Sequence, residues 1–212
     1  DTVGRVLKGK MTIIAGCNAY TPSDAIKAAE MAEKAGFDGI LLTAPPYIKP
    51  TSDEIEHFYA SVCKETSMPI CVYNWPPGTG IDMDLELLTR LAALENVVAI
   101  KNSTSSREHF LNVFHALKDQ VRIFGVPMNE EGIHLVKEHN ADGMMGAGAI
   151  LGHHQPDFFN AIWRGDLASA RLIATMDQRI MDDWFTPELT GKFASAQAIM
   201  KAALNLQGLP GG

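Results

Sequence analysis

Two residues of this chain have types and positions that could support amine chemistry on a carbonyl compound. Lys101 ends the apolar run 97–100, where a buried strand would stop. Burying an ammonium group is costly, and burial lowers the lysine pKa, which makes the amine nucleophilic. Tyr73 lies near the end of a second apolar run, 69–74, and precedes Lys101 by 28 residues. A tyrosine hydroxyl beside such an amine can move protons during imine formation.

Both residues also have purely structural explanations. A lysine after a strand is commonly the first solvated residue of a loop, and a tyrosine at a strand end commonly packs against its neighbours. The functional interpretation therefore depends on an architecture that brings the two strand ends together. Parallel strands provide it, because their carboxyl ends lie at the same edge of a sheet.

Short apolar runs alternate with amphipathic helical patterns along most of the chain. The runs are apolar on both faces, as in parallel strands that are covered on both sides. The strands are predicted at residues 12–16, 39–44, 69–74, 97–102, 122–126 and 143–147. Their ends are 21 to 30 residues apart, which is one βα unit per step. Helices are then predicted at residues 155–163, 167–184 and 186–206.

Six βα units would fit either an open doubly wound sheet or most of a (β/α)₈ barrel. A dinucleotide-binding sheet requires a glycine-rich fingerprint after an early strand, and residues 16–20 do not supply one. The G-x-G at residues 146–148 lacks the third glycine. A barrel is favoured, because it places functional residues at the carboxyl ends of several strands.

Composition excludes several classes of function. The chain has 212 residues with a net charge of −7, which argues against a nucleic-acid or anionic-membrane partner. No apolar run reaches 18 residues, so no transmembrane helix is expected. The three cysteines fit no metal motif and are interpreted as reduced thiols of a cytoplasmic protein. Adjacent histidines such as His153 and His154 rarely converge on one ion, so no metal is expected.

The sequence resembles the dihydrodipicolinate synthase/N-acetylneuraminate lyase family of Schiff-base-forming aldolases. Residues 73–76, Tyr-Asn-Trp-Pro, resemble its tyrosine motif, and residues 99–103, Ala-Ile-Lys-Asn-Ser, its lysine motif. Further resemblance lies at residues 14–16, 43–51 and 143–147.

This resemblance implies an α/β fold, a (β/α)₈ TIM barrel that here lacks its first two βα units. Residues 1–150 would hold units three to eight. Residues 151–212 would hold the last barrel helix and a C-terminal helical extension. We therefore expect the chain to be a piece of a protein of about 280–300 residues, by analogy with the size of this fold.

The resemblance also implies catalytic roles. Lys101 would form a Schiff base with a 2-oxo acid such as pyruvate, without a cofactor. Tyr73 would transfer protons, and Tyr47 would assist this relay across a subunit interface. A homotetramer arranged as a dimer of dimers is expected.

Substrate-binding positions follow from the same resemblance. Ser103 would contact a substrate hydroxyl, and the small residues Gly146, Ala147 and Gly148 would allow close approach of the substrate carboxylate. Asn74 and Gly125 complete the predicted set.

Two departures from the family bear on the substrate. Gly78 stands where dihydrodipicolinate synthases carry an arginine that binds a carboxylate, and residues 126–128 lack the acidic residues of sialic acid lyases. Aldol cleavage, condensation or dehydration of a 2-keto-3-deoxy sugar acid is therefore predicted. One alternative is dihydrodipicolinate synthase itself, which joins pyruvate to aspartate semialdehyde in lysine biosynthesis. Another is a non-catalytic barrel that binds a small acid.

Overall fold

The structure is a computed structural model that describes residues 2–146, 152–188 and 190–212. Its elements, in chain order, are α1 (Thr2–Leu7), β1 (Ile14–Gly16), α2 (Pro22–Lys34), β2 (Gly39–Thr43), α3 (Ser52–Glu65), β3 (Ile70–Asn74), α4 (Pro76–Thr79), α5 (Leu85–Ala92), β4 (Val97–Asn102), α6 (Arg107–Leu117), β5 (Arg122–Phe124), α7 (Glu130–His139), α8 (His154–Trp163), α9 (Leu167–Trp184) and α10 (Ala196–Leu206). No described helix is both long and apolar enough to cross a bilayer.

The five described strands form one sheet in the order β1-β2-β3-β4-β5. The pairs β1/β2, β2/β3 and β3/β4 are parallel, and a helix lies between the strands of each pair. A doubly wound sheet reverses its strand order at a switch point, whereas a barrel adds each new strand beside the last. The observed order therefore agrees with the predicted barrel type.

The core of the sheet comes from side chains that are apolar on both faces. Ile40, Leu42, Ile70, Val72 and Ile100 are completely buried on one face, and Cys71 and Ala99, which pair on the other face, are 3% and 6% exposed. Burial of this kind is what near-continuous apolar runs predict for strands that are covered on both sides.

The chain divides into two compact units, Asp1–Ile123 and Phe124–Gly212. The first unit holds β1 to β4 and the helices between them. The second holds α7 to α10. The division predicted at residue 150 follows the boundaries of barrel units instead, and it stays a prediction.

The sixth predicted strand, at residues 143–147, is not a strand in the part that the structure describes. Gly143 forms an isolated parallel bridge with Phe124, and its carbonyl accepts from the backbone N–H groups of Gly125 and Val126 at 3.1 Å. Gly143 has a φ of 124°, which extended strands do not adopt. The prediction of a strand there was wrong for the described residues.

The last predicted helix is shorter than expected and begins at Ala196. Phe185 and Gly191 form an antiparallel bridge, so the intervening segment turns back before the helix starts. Ser195 then caps the helix by accepting from the N–H of Ala198 at 3.3 Å.

The strands β3 and β4 contain one irregularity in their pairing. Ile70 pairs with Val97, but Cys71 pairs with Ala99, so Val98 has no partner on β3. Val98 is 46% exposed. Such an unpaired residue is a β-bulge, and it sets the register of every pair that follows.

The capping box of α3 provides a test of local stability. Thr51 accepts from the N–H of Glu54 at 3.3 Å, and the Glu54 carboxylate accepts from the N–H of Thr51 at 2.8 Å. Thr51→Ala is expected to lower the free energy of unfolding by about 1 kcal/mol, because the N–H of Glu54 loses the side-chain oxygen that accepts its hydrogen bond. Urea denaturation measures this. Ser52→Ala, at the exposed next position, is the control and should change stability by less than about 0.5 kcal/mol.

Candidate active site

Tyr73 and Lys101 lie directly opposite each other on neighbouring parallel strands. Residues in register project to the same face of a sheet, so the two side chains meet. The Nζ atom of Lys101 lies 4.0 Å from the centroid of the Tyr73 ring. The two strand ends therefore bring an amine and a phenol together, as the sequence predicted.

Burial shifts both groups in directions that suit imine chemistry. It lowers the pKa of Lys101, an effect partly opposed by the charge interaction with Cys71. Burial raises the pKa of the Cys71 thiol to about 12, so this thiol is neutral near pH 7 and is a poor counter-ion for an ammonium. Burial also raises the pKa of Tyr73, which keeps its phenol protonated. The site therefore holds an amine with a lowered pKa beside a protonated phenol.

The pH dependence of imine formation follows from these shifts. The rate at which Lys101 reacts with pyruvate is expected to rise with pH, because only the neutral amine attacks, and to reach half its maximum below pH 10.5, the ordinary lysine value. A decline is expected only above pH 10.0, where Tyr73 loses its proton. Borohydride trapping at a series of pH values, followed by peptide mass spectrometry, measures both the rise and the decline of the rate.

The exposed side chain of Lys27 gives the internal comparison for this experiment. Reductive methylation with formaldehyde labels both lysines without any substrate. If Lys101 and Lys27 showed the same pH profile, the lowered pKa of the partly buried Lys101 amine would be contradicted.

Ser103 is held against the phenol of Tyr73. Its side chain forms a hydrogen bond with Tyr73 that lowers the tyrosine pKa, although burial has the larger, opposite effect. The Ser103 N–H donates to the carbonyl of Asn74 at 2.9 Å. The hydroxyl is thus near the predicted chemistry, and its contact with a substrate hydroxyl stays a prediction.

Tyr47 projects away from the chain. It is 94% exposed, and its backbone has a φ of 81°, in the left-handed region that a tyrosine rarely adopts. Backbone strain of this kind costs on the order of 1–3 kcal/mol and is typical of functional positions. The role of Tyr47 in a proton relay across a subunit interface stays a prediction.

Trp75 extends the aromatic surface beside the amine. Its ring stacks on that of Tyr73, with centroids 5.7 Å apart and an angle of 14° between planes. A Cβ atom at Gly78 would lie 2.0 Å from Cζ3 of this indole, so the ring occupies the space that a side chain at that position would need. A side chain at this position would therefore require the indole to move.

Asn74 is completely buried, and its side-chain amide forms hydrogen bonds with three other residues of the chain. Its Nδ2 donates to Asp82 at 2.6 Å and to Asn102 at 3.0 Å, while its Oδ1 accepts from the N–H of Met83 at 3.0 Å. Its predicted contact with substrate stays a prediction. Sequence reasoning missed Asp82 and Asn102, although two asparagines directly after the predicted catalytic pair were a signal.

The remaining predicted positions belong to the second unit or lie outside the described residues. Gly125 has a φ of 138°, which favours glycine. A Cβ atom at Gly146 would meet Met144 and Gln155 side-chain atoms within 3 Å, so only a glycine fits there without movement. Ala147 and Gly148 lie outside the described residues. Within the described ranges, no group of three or more His, Cys, Asp or Glu residues is placed to hold a metal ion.

Comparison with known proteins identifies the family. The sequence profile of the dihydrodipicolinate synthetase family matches residues 1–212. This chain belongs to that family. The prediction from the tyrosine and lysine motifs is therefore confirmed, and so, at the level of the family, is the prediction of a class I, aldolase-type lyase.

Individual relatives carry consistent names. The chain is 29% identical over 215 residues to the 4-hydroxy-tetrahydrodipicolinate synthase of Oceanobacillus iheyensis, covering 100% of this chain and 69% of the relative. It is 32% identical over 169 residues to the enzyme of that name from Psychrobacter sp.. This match covers 79% of this chain and 55% of the relative. The chain thus spans between about half and two thirds of these curated relatives.

Solved structures of the family support the fold. A dihydrodipicolinate synthase from Thermotoga maritima matches with a TM-score of 0.81 at 24% identity, covering 99% of this chain and 70% of that one. The dihydrodipicolinate synthase from Bacteroides thetaiotaomicron matches with a TM-score of 0.80 at 21% identity. This match covers 98% of this chain and 70% of that one. The chain therefore has the fold of these TIM barrels over the matched part, with helices at its C-terminal end.

Proposed function

We propose that this chain carries the lysine-imine chemistry of a lyase that acts on pyruvate or a similar 2-oxo acid. The observation that supports it is the 4.0 Å approach of the Lys101 Nζ to the Tyr73 ring, at the paired ends of two parallel strands. A family member with this partly buried amine has the group that the reaction requires.

The proposed reaction begins with attack of the neutral Lys101 amine on the ketone carbon. A C–N bond forms, and the carbonyl oxygen becomes the hydroxyl of a carbinolamine. Tyr73 delivers a proton to that hydroxyl, which leaves as water, and the C=N bond forms. The Tyr73 phenolate takes a proton from the neighbouring carbon, which gives an enamine. The enamine carbon attacks an aldehyde, and the aldehyde oxygen becomes a hydroxyl by taking that proton back from Tyr73. Cleavage follows the same steps in reverse.

The second reactant is proposed from the names of the relatives. Those relatives are 4-hydroxy-tetrahydrodipicolinate synthases, so condensation of pyruvate with aspartate semialdehyde is favoured. This favours the alternative reaction weighed from the sequence over the sugar-acid reaction.

A 2-keto-3-deoxy sugar acid is the second candidate, because one observation favours it. Gly78 stands where an arginine would bind a second carboxylate, and the indole of Trp75 fills the space beside it. A neutral, hydroxylated tail would need no such cation. Assays of pyruvate consumption with aspartate semialdehyde, and of pyruvate release from sugar acids, separate the two candidates.

The imine itself is tested by trapping. Incubation with pyruvate and borohydride should add one reduced pyruvyl group, and peptide mapping should place it on Lys101. A folded protein that gains no adduct would contradict the lyase and would favour the non-catalytic binder.

The proposed assembly is a homo-oligomer in which Tyr47 of one copy reaches the site of another. The 94% exposure of this tyrosine supports the proposal, since such a side chain is available to a partner. Sedimentation analysis of the protein tests the dimer-of-dimers arrangement, and a monomer would contradict it.

A further inference from the structure

A cluster of polar side chains lies on the far side of the strands that carry the proposed catalytic pair. Its members, which we call the Asp82 cluster, are Asn74, Asp82, Asn102, Thr104 and His109. Successive residues of a strand point to opposite faces, so Asn74 and Asn102 point away from the face that Tyr73 and Lys101 share. All five members belong to the first compact unit.

The carboxylate of Asp82 joins the two strand ends. Its Oδ1 accepts from Nδ2 of Asn74 at 2.6 Å, at the end of β3. Its Oδ2 accepts from Oγ1 of Thr104 at 2.7 Å, in the loop that follows β4. The same Asn74 nitrogen donates to Oδ1 of Asn102 at 3.0 Å, which completes the link between the strands. One side chain from the loop before α5 thus ties together the segments that follow both proposed catalytic residues.

The cluster depends on this carboxylate as an acceptor. Asn74 and Asn102 are 0% and 2% exposed. Within the described chain, Nδ2 of Asn102 and Nε2 of His109 are buried without a hydrogen-bond partner, and the histidine nitrogen lies 3.6 Å from Oδ1 of Asp82. Asp82 accepts from Asn74 and from Thr104, and an asparagine in its place has one acceptor oxygen, so one of these two bonds is lost or, at the Thr104 hydroxyl, reversed.

The cluster also fixes Ser103. This residue lies between two members, Asn102 and Thr104, and its N–H donates to the Asn74 carbonyl at 2.9 Å. Because the Ser103 side chain bonds to Tyr73, a displacement of the cluster would reach the phenol as well as the amine.

We propose that Asp82 is a positioning residue for the Lys101–Tyr73 pair. It acts through the buried amides of Asn74 and Asn102 and through Thr104, and it does not touch substrate. The inference rests on the proposed function, because it concerns the same amine. A misplacement of reacting groups by about 1 Å can lower a rate by about a hundredfold, so a small displacement is enough to be measured.

The test compares two neighbouring isosteric substitutions, Asp82→Asn and Asp84→Asn. Asp84 caps α5 by accepting from the N–H of Leu87 at 2.8 Å, and its side chain makes no described bond to β3 or β4. Asparagine caps a helix about as well as aspartate, so Asp84→Asn should keep this cap and leave the proposed site undisturbed. Urea denaturation verifies that both variants are folded and reports the stability of each.

The readouts are the rate of pyruvyl-adduct formation at Lys101 against pH, and the split between kcat and KM. Asp82→Asn is expected to lower the trapping rate and kcat by about tenfold or more, with KM for pyruvate changing far less. Its pH profile should move upward, because water that enters a loosened site raises the pKa of the amine. Asp84→Asn should retain the wild-type rate and profile.

Each outcome decides a separate question. Equal trapping rates and profiles for the two variants would overturn the positioning role of Asp82. A wild-type protein that forms no adduct would overturn the proposed function instead. In that case, formaldehyde labelling of Lys101 still tests the positioning, since an unchanged labelling profile in Asp82→Asn would overturn it.

A second variant covers the possibility that Asp82→Asn does not fold. Thr104→Val removes one donor to the carboxylate and leaves the bond between Asp82 and Asn74. It is expected to lower the trapping rate in the same direction by a smaller factor, and a wild-type rate in this variant would overturn the proposal.

Discussion

Lys101→Arg is expected to abolish the pyruvyl adduct and to lower turnover by about a thousandfold or more, the scale of loss when a nucleophile is removed. Arginine keeps the positive charge and much of the length of lysine. Its guanidinium remains protonated at all accessible pH values and cannot form the imine. The variant therefore removes the nucleophilic amine and keeps the positive charge. Mass spectrometry after borohydride treatment and a turnover assay measure both effects.

Lys27→Arg is the matched control for this prediction. Lys27 is exposed on α2 and pairs with Asp24 at 3.8 Å, so the same substitution there should leave adduct and turnover unchanged. An adduct of equal yield in Lys101→Arg would assign the imine to another lysine. A small-acid binder without catalysis would instead retain its affinity for pyruvate and show no turnover in either protein.

Tyr73→Phe is expected to lower turnover by about 10²- to 10⁴-fold, the range associated with loss of a general acid or base. Phenylalanine keeps the ring that stacks on Trp75 and lies beside the amine, so the packing of the site is preserved. Only the hydroxyl is lost, and with it the proton donor for departure of water. The adduct should still form on Lys101, but more slowly, which single-turnover trapping would show.

Tyr59→Phe is the control for the loss of a tyrosine hydroxyl. Tyr59 is completely buried, and its hydroxyl donates to the carbonyl of Leu42 at 2.6 Å. Its removal should lower the free energy of unfolding by about 1–3 kcal/mol, because a buried carbonyl loses its partner. The Tyr59 hydroxyl also bonds to the backbone of Tyr73, so turnover of the remaining folded protein should fall, but far less than in Tyr73→Phe. A Tyr73→Phe protein that kept wild-type turnover would show that the phenol has no role in proton transfer.

The fold could be predicted from the sequence because its periodicity is strong. Apolar runs of strand length, separated by capped helices such as the one that begins after Thr51, leave few arrangements other than parallel βα units. The sixth strand was predicted wrongly because an apolar pattern does not report backbone dihedrals. The positive φ of Gly143 becomes visible only in the structure.

The proposed catalytic pair could also be predicted from the apolar runs. The side chains that surround the pair could not be predicted in this way. Lys101 and Tyr73 end apolar runs, so parallel pairing brings them together. Asp82 stands in a loop, where an aspartate is ordinary, and its partners are distant in sequence. Its significance depends on three-dimensional contacts that no local pattern encodes. The left-handed backbone of Tyr47 is equally hidden, because tyrosine has no preference for that conformation.

The unpaired Val98 has a consequence for how this sequence tolerates insertions and deletions. Before Val98 the paired residues of β3 and β4 are offset by 27 positions, and after it by 28. Removing Val98 alone would give the two strands a single offset and leave Tyr73 opposite Lys101. A change in strand length at this point is thus absorbed before it reaches the reactive end. The start of β4 can therefore vary in length while the part that carries the amine keeps its alignment.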